Sequence, residues 1–425
     1  MQIIGIDIGT TSICGIAIDP ESGRVINSKT INSNAFIESD KEFEKIQSPD
    51  KIITIATQIL ESLITSDTSA IGVTGQMHGI VYTDENGIAV SPLYTWQDKR
   101  GDEPYLNTTY AKHLGSFAGY GCVTDFYNKT NNLVPKNAVS FCTIHDYLVM
   151  TLCGLKEPII HSTNAASFGL YDIENNCFLN EFSPKITTDF TIAGEYKNIP
   201  VSVAIGDNQA SVFSTLKNEK DLLINVGTGS QVSIISDRII TGENLEVRPY
   251  FDNKYLIVGA ALCGGRAYSM LKDFYKAILL KNGDISDERV YEIMDEMLKS
   301  NSPTLSVDTR FAGTRQNPTI SGSINGITTE NFTPKALTKG VLSGMCDELY
   351  NMFKTMKTEI SGIVGSGNGI RKNKAFIALC EEKFENKIKI PAHLEEAAVG
   401  AALFSGIATN IFKNTKEAQK IIKYR

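Results

Sequence analysis

Two short turns hold the residues best suited to chemistry on phosphates. Gly5-Ile6-Asp7-Ile8-Gly9-Thr10-Thr11-Ser12 ends the apolar stretch Ile3 to Ile8, and Asn225-Val226-Gly227-Thr228-Gly229-Ser230 ends Leu222 to Val226. In each, Gly and hydroxyl residues stand where a strand must turn back. Glycine lets the backbone approach a ligand closely, and successive N–H groups can cradle a phosphate. The hydroxyls of Thr10, Thr11, Ser12 and Thr228 add donors beside Gly227 and Gly229. Only the first turn carries an acid, Asp7, placed to hold a hydrated metal such as Mg2+. Two such turns suggest two similar domains facing one nucleotide. A lone copy reads more readily as a hairpin that needs glycine; the second copy favours phosphate binding.

Four further groups join them. Gly206-Asp207-Asn208-Gln209-Ala210 follows the strand Val201 to Ile205. An acid at a strand's C-terminal end sits where open α/β sheets bind ligands, although an Asp there also serves as a helix N-cap. Beside two phosphate turns, Asp207 reads as a general base that takes the proton of an attacking hydroxyl. Thr74-Gly75-Gln76-Met77-His78-Gly79 offers amide and imidazole groups to a polyol, and Thr95-Trp96-Gln97-Asp98-Lys99-Arg100 places the only Trp among donors and acceptors. The plain alternatives are a structural His and an ordinary surface cluster. Gly365-Ser366-Gly367-Asn368-Gly369 reads as a glycine-rich bed for adenosine, since no strand with a terminal acid follows to make it a dinucleotide fingerprint. Gly264-Gly265, at a helix start, is either a plain turn or a further set of phosphate donors.

The elements that must position these groups follow from periodicity. Ile3–Ile8 and Ile13–Asp19 alternate as a hairpin, with Val25–Asn32 as a third strand. Residues 52–64, 138–152 and 208–216 have helical spacing; 71–74 and 201–205 are short buried strands. The pattern restarts after the charged segment 217–221: strands over 222–235 and 255–261, helices over 267–280 and 336–356, a strand at 363–364, then helices from 373 and over 395–404. The chain therefore divides into 1–216 and 217–425, two α/β domains with mixed sheets.

A length of 425 residues exceeds one ordinary core, and 42% apolar with 21% charged residues is globular. The net charge of −7 disfavours nucleic acid or an anionic membrane as partner. No secretory signal or membrane-length apolar run is present, and the eight scattered Cys lack a C-x-x-C pair. A cytoplasmic protein with reduced thiols is expected.

Taken in order, these motifs resemble the FGGY family of carbohydrate kinases from about Ile3 to Gly406. Phe311 to Pro318, Gly322 to Ile327 and Ala397-Ala398-Val399-Gly400-Ala401-Ala402 match its later segments. The resemblance implies two actin-like, ribonuclease-H-like domains around an ATP/sugar cleft. It implies ATP and Mg2+ as the nucleotide and metal, a small sugar as substrate, and a monomer or homodimer. It assigns Asp207 as base and Asp7 to Mg2+ through water. Met77 (through its backbone), His78 and Asn208 go to the sugar; beside them, Gln76 offers an amide to it, and Trp96, Gln97, Asp98 and Asn164 are the candidates for its far end. Thr10, Thr11, Ser12, Gly227, Thr228, Gly229, Gly264, Gly265, Gly365, Gly367 and Asn368 go to ATP.

Gln76-Met77-His78-Gly79 is shared by the xylulokinase and sedoheptulokinase branches. Thr95 to Asp98 with Arg100, Gly119 to Thr124, Thr143 to Val149 and Asn164 to Ser167 resemble the sedoheptulokinase branch. The second domain is short for the family, the Arg315 loop lacks its Gly-Glu-Arg form, and Ser366 replaces a glycine. A nucleotide-switched binding protein on the same fold is the reading from another class; the two polyol loops speak against it.

Overall fold

Alternating, β-branched residues in the first 18 positions close a tight hairpin: Gln2–Ile8 pairs antiparallel with Ser12–Ile18, Ile8 opposite Ile13, and Ser12–Ile18 pairs with Val25–Asn32. A computed structural model describes residues 1–181, 184–298 and 304–425. The chain forms two units. The first comprises Met1–Lys217, Arg248–Lys254 and His393–Lys423, and the second Asn218–Val247, Tyr255–Ala392 and Tyr424–Arg425. The linear division into 1–216 and 217–425 is thus corrected at the C-terminus, where the last long helix returns to the first unit.

In the first unit the sheet order runs Ile192–Tyr196, Ile199–Ser202, Thr68–Gly75, Gln2–Ile8, Ser12–Ile18, Val25–Asn32. Thr68–Gly75 is parallel to Gln2–Ile8, so both deliver their C-terminal ends, Gly75 and Ile8, side by side. The short strand Ile205–Gly206 pairs parallel with Thr74 and Gly75 and brings Asp207 to the same edge. The helix Pro49–Leu63 starts at Ser48, whose side chain caps the Lys51 N–H, and buries Ile52, Ala56, Ile59, Leu60 and Leu63. On the sheet's other side lies the helix Glu396–Ala408, buried from Ala398 through Ile407. Its approach is glycine-dependent. A Cβ on Gly5, Gly72 or Gly400 would stand 1.9 Å from the carbonyl oxygen of Ala398, Ala401 or Ala210 respectively.

The second unit repeats the plan: Asp221–Val226 pairs antiparallel with Ser230–Ser236, which pairs with Tyr255–Ala261, while Gly362–Ser366 runs parallel to Asp221–Val226. Gly265–Leu279 and Pro334–Met356 cover this sheet's core, including Leu222, Ile224, Leu271, Leu342 and Leu349.

Two sequence expectations give way. Residues 138–152 are not one helix: Ser140–Cys142 is a strand paired with Val81–Thr83, and the helix Ile144–Cys153 begins only after Thr143, whose hydroxyl caps the Asp146 N–H. The capping signal competes with the apolar spacing and wins. The segment 365–369 is not an open loop, because the strand runs through Ser366 and helix begins at Gly367.

Candidate active site

Asp207 opens the helix Asp207–Thr215 directly after the Ile205–Gly206 strand. Its carboxylate accepts the Asn208 N–H, and the helix start favours its negative form. Burial acts the other way and is stronger, so its pKa rises to about 6, with the Arg248 guanidinium pulling it down. Asp7, at the end of the hairpin's first strand, is pushed up to about 7 by burial first, then by the charges of Asp207 and Glu395. The charge of Asp207 thus adds to burial in holding the Asp7 proton. Arg248 and Glu395 have no motif of their own and reach the site from positions distant in sequence.

Asp7 has hard oxygen donors and two acidic neighbours, and no positive charge contributes to its shift. That donor chemistry suits a hydrated divalent cation. Among the described residues no three His, Cys, Asp or Glu side chains group closely enough to chelate an ion.

His78 sits beside this edge in the left-handed region, φ 73°, a strained conformation for a non-glycine residue. Ser167 holds it twice: the His78 N–H donates to Ser167 Oγ at 3.1 Å, and Nδ1 lies 2.8 Å from the Ser167 carbonyl. A carbonyl only accepts, so Nδ1 carries the proton, and in the neutral ring Nε2 has acceptor character. The ring stacks on Tyr120, centroids 4.2 Å apart. Gly119 makes this possible, since a Cβ there would lie 2.1 Å from the Trp96 carbonyl. Trp96 is 47% exposed, and its indole N–H donates to Thr10 Oγ1 at 2.9 Å. Gln97 is exposed beside it. Met77 is buried, with its sulfur and terminal methyl packed on Gly206, and its carbonyl accepts the Gly79 N–H.

Three residues assigned to the sugar are engaged elsewhere. Asp98 is buried, its two oxygens taken by the Arg100 guanidinium at 2.7 and 3.1 Å and by the Lys45 and Arg100 N–H groups. Asn164 is fully buried, with its amide bonded to Asp146, Ala204 and His145. Gln76 donates to Gln47 and accepts from Thr10, so it braces the first phosphate turn. Polar loops read as surface in a sequence; here buried partners from other segments absorb them.

In the second unit Gly227 and Thr228 are exposed. A Cβ on Gly227 would meet only the Gly229 carbonyl, at 3.9 Å. The fold has room for a side chain there, so glycine leaves space for something else. Gly264 and Gly265 differ: a Cβ would lie 2.5 Å from Ser230 N or 2.4 Å from the Gly227 carbonyl, which makes their role the docking of the turn on the helix. Gly365 is buried against Ile370, Ile388 and Ile390, and Gly367, φ +80°, packs on Val226. Gly365 therefore packs within the second unit's core, while Gly367 and Asn368 lie nearer the surface. Asn368 is exposed, and Ser366 is buried with its hydroxyl accepting from Asn225 at 2.7 Å.

Residues 2–115 match the N-terminal domain of the FGGY family of carbohydrate kinases. The chain is 26% identical to the sedoheptulokinase of Homo sapiens over 460 residues, covering 94% of this chain and 96% of that one. A xyloylose kinase from Brucella ovis superposes with a TM-score of 0.85 at 18% identity, covering 99% and 92%. The Plasmodium falciparum glycerol kinase with ADP gives 0.81 at 21%, again covering 99% and 92%. Each unit has the actin-like, ribonuclease-H-like plan of these structures. With the two repeated hairpin turns and the acid at the strand end, these matches give residues 2–115 as an N-terminal domain of the FGGY carbohydrate-kinase type, and they support an ATP-dependent sugar kinase over the length of the chain.

Proposed function

We propose that this kinase transfers the γ-phosphoryl group of ATP to the terminal hydroxyl of a ketose, and that the ketose is sedoheptulose. The observation that carries the reading is Asp207: a carboxylate at a strand end, beside Asp7, with its pKa raised to about 6. Such a group is ionised at neutral pH yet basic enough to accept a proton, and a base of this kind contributes ~10²–10⁴-fold. The hydroxyl oxygen bonds to the γ-phosphorus, the bond from phosphorus to the bridging oxygen breaks, ADP leaves, and the hydroxyl proton passes to Asp207. Asp7 would orient a hydrated Mg2+, whose charge offsets that of the phosphates when it is bound. Thr10, Thr11 and Ser12 in the first unit, and Gly227, Thr228 and Gly229 in the second, are the phosphate donors. Gly367 and Asn368 are the remaining candidates for adenosine.

His78, with Nε2 as acceptor, and Asn208 flank the reacting end of the sugar; Trp96 and Gln97 are the exposed groups for its far end. The likeness to a sedoheptulokinase over nearly the whole chain supports the seven-carbon ketose. ATP turnover with ketoses of five to seven carbons tests it. Sedoheptulose should exceed xylulose by at least ~10-fold in kcat/KM, since one lost buried hydrogen bond costs about 1–3 kcal/mol. A preference for xylulose would overturn the choice of sugar and leave the kinase reading standing.

A further inference from the structure

The backbone that delivers Asp207 is not held by a continuous ladder. The strand Ile199–Ser202 ends, and only Ile205 and Gly206 pair again with Thr74 and Gly75. Side chains replace the missing bonds. Asn164 Nδ2 donates to the Ala204 carbonyl at 3.1 Å, Thr74 Oγ1 to the Ile205 carbonyl at 2.7 Å, and the Gly206 N–H donates to Thr163 Oγ1 at 3.1 Å. Three consecutive residues before Asp207 are thus pinned, two of them from adjacent positions of one short helix, Ser162–Ala165.

The pins are themselves fixed. His161 Nδ1 accepts the Thr163 N–H at 3.2 Å and lies 2.9 Å from Thr163 Oγ1. As an acceptor it takes the hydroxyl proton, which leaves Oγ1 to accept from Gly206. Asn164 also donates to Asp146 Oδ1 at 2.9 Å, and its own oxygen lies 2.9 Å from His145 Nε2. Thr163 and Asn164 have no exposed surface, so neither can touch a substrate directly. The same segment then reaches the sugar side: Ser167 Oγ donates to the Asn164 carbonyl at 2.7 Å and accepts the His78 N–H.

We propose that residues 161–168 are a rigid brace in which Thr163 and Asn164 position Asp207 through its backbone while Ser167 positions His78, so that one buried segment sets the spacing between base and sugar. This rests on the reading of Asp207 as the base. Misplacement of a reacting group by about 1 Å is enough to cost on the order of 10²-fold in rate.

Steady-state kinetics of Thr163→Val, Thr163→Ser and Ser167→Ala, with circular-dichroism melts, test the brace. Thr163→Val should lower kcat at least about tenfold with both KM values within about twofold, and Thr163→Ser should restore most of it. Ser167→Ala should instead raise KM for the sugar. If Thr163→Val does not fold, Thr74→Val removes the neighbouring pin and should give the same kcat loss. In an Asp207→Asn background, Thr163→Val should have little further effect. A folded Thr163→Val with normal kcat, or one that lowers residual turnover of Asp207→Asn as much as that of wild type, would overturn the brace. Wild-type kcat in Asp207→Asn alone would overturn the base assignment instead.

Discussion

Asp207 and Asp7 do opposite things with similar chemistry, and pH separates them from stability. The base works ionised. With its pKa raised to about 6 by burial in the free protein, kcat/KM should be level above pH 7 and fall tenfold per unit as pH drops well below 6; a flat profile between pH 5 and 8 would contradict the assignment. Stability carries the other sign. Asp7 holds its proton more tightly folded, at about 7, than its ordinary 3.8. Its stabilising contribution is therefore complete below about pH 4 and lost as pH rises through 7. Asp7→Asn should raise Tm at pH 8 by about 2–4 °C and give no such gain at pH 4, while activity falls. Thermal melts at the two pH values check the difference. Both acids are legible in sequence because each stands at the end of an apolar strand. Arg248 and Glu395 are not: their role comes from chain segments that fold back to the first unit, and no local pattern marks them. Asp98 and Asn164 are legible as important but not as buried, since Lys45, which helps hold Asp98, and Asp146 and Ala204, which hold Asn164, are distant in sequence.

Glycine separates function from packing among the elements. Gly400→Ala would drive a methyl to 1.9 Å from the Ala210 carbonyl, and should cost roughly 3 kcal/mol or more, because the obstacle is helix backbone. Gly265→Ala should also destabilise, by its 2.4 Å approach to the Gly227 carbonyl. Gly227→Ala should leave Tm nearly unchanged and weaken ATP binding, measured by calorimetry; unaltered ATP affinity would return this turn to a purely structural role. The hairpins are readable from alternation, the strand Thr68–Gly75 from its buried run at 71–74, and the helix Pro334–Met356 from its spacing over 336–356. Where elements are short, local chemistry decides instead. Thr143 stops the strand Ser140–Cys142 and starts a helix within one residue, and after Ser202 the Ala204 carbonyl and the Gly206 N–H bond to side chains of residues 164 and 163.

The whole chain is less divisible than its linear pattern suggests. Residues 393–423 complete the first unit, and the helix Glu396–Ala408 packs on Gly5, Gly72 and the helix Asp207–Thr215. A chain of residues 1–216 alone should therefore lack a cooperative melt, and adding residues 393–423 by linker should restore one; cooperative unfolding of 1–216 by itself would contradict this. Among the described residues no helix is long and apolar enough to cross a membrane. The most direct test of the account is ADP formation by purified protein with ATP and Mg2+, measured with sedoheptulose and without sugar, in wild type and Asp207→Asn. The account predicts turnover that depends on the sugar and drops at least ~10²-fold in the variant, with ATP binding nearly unchanged. ADP formation indifferent to sugar, or a variant that keeps most of its kcat, would contradict it.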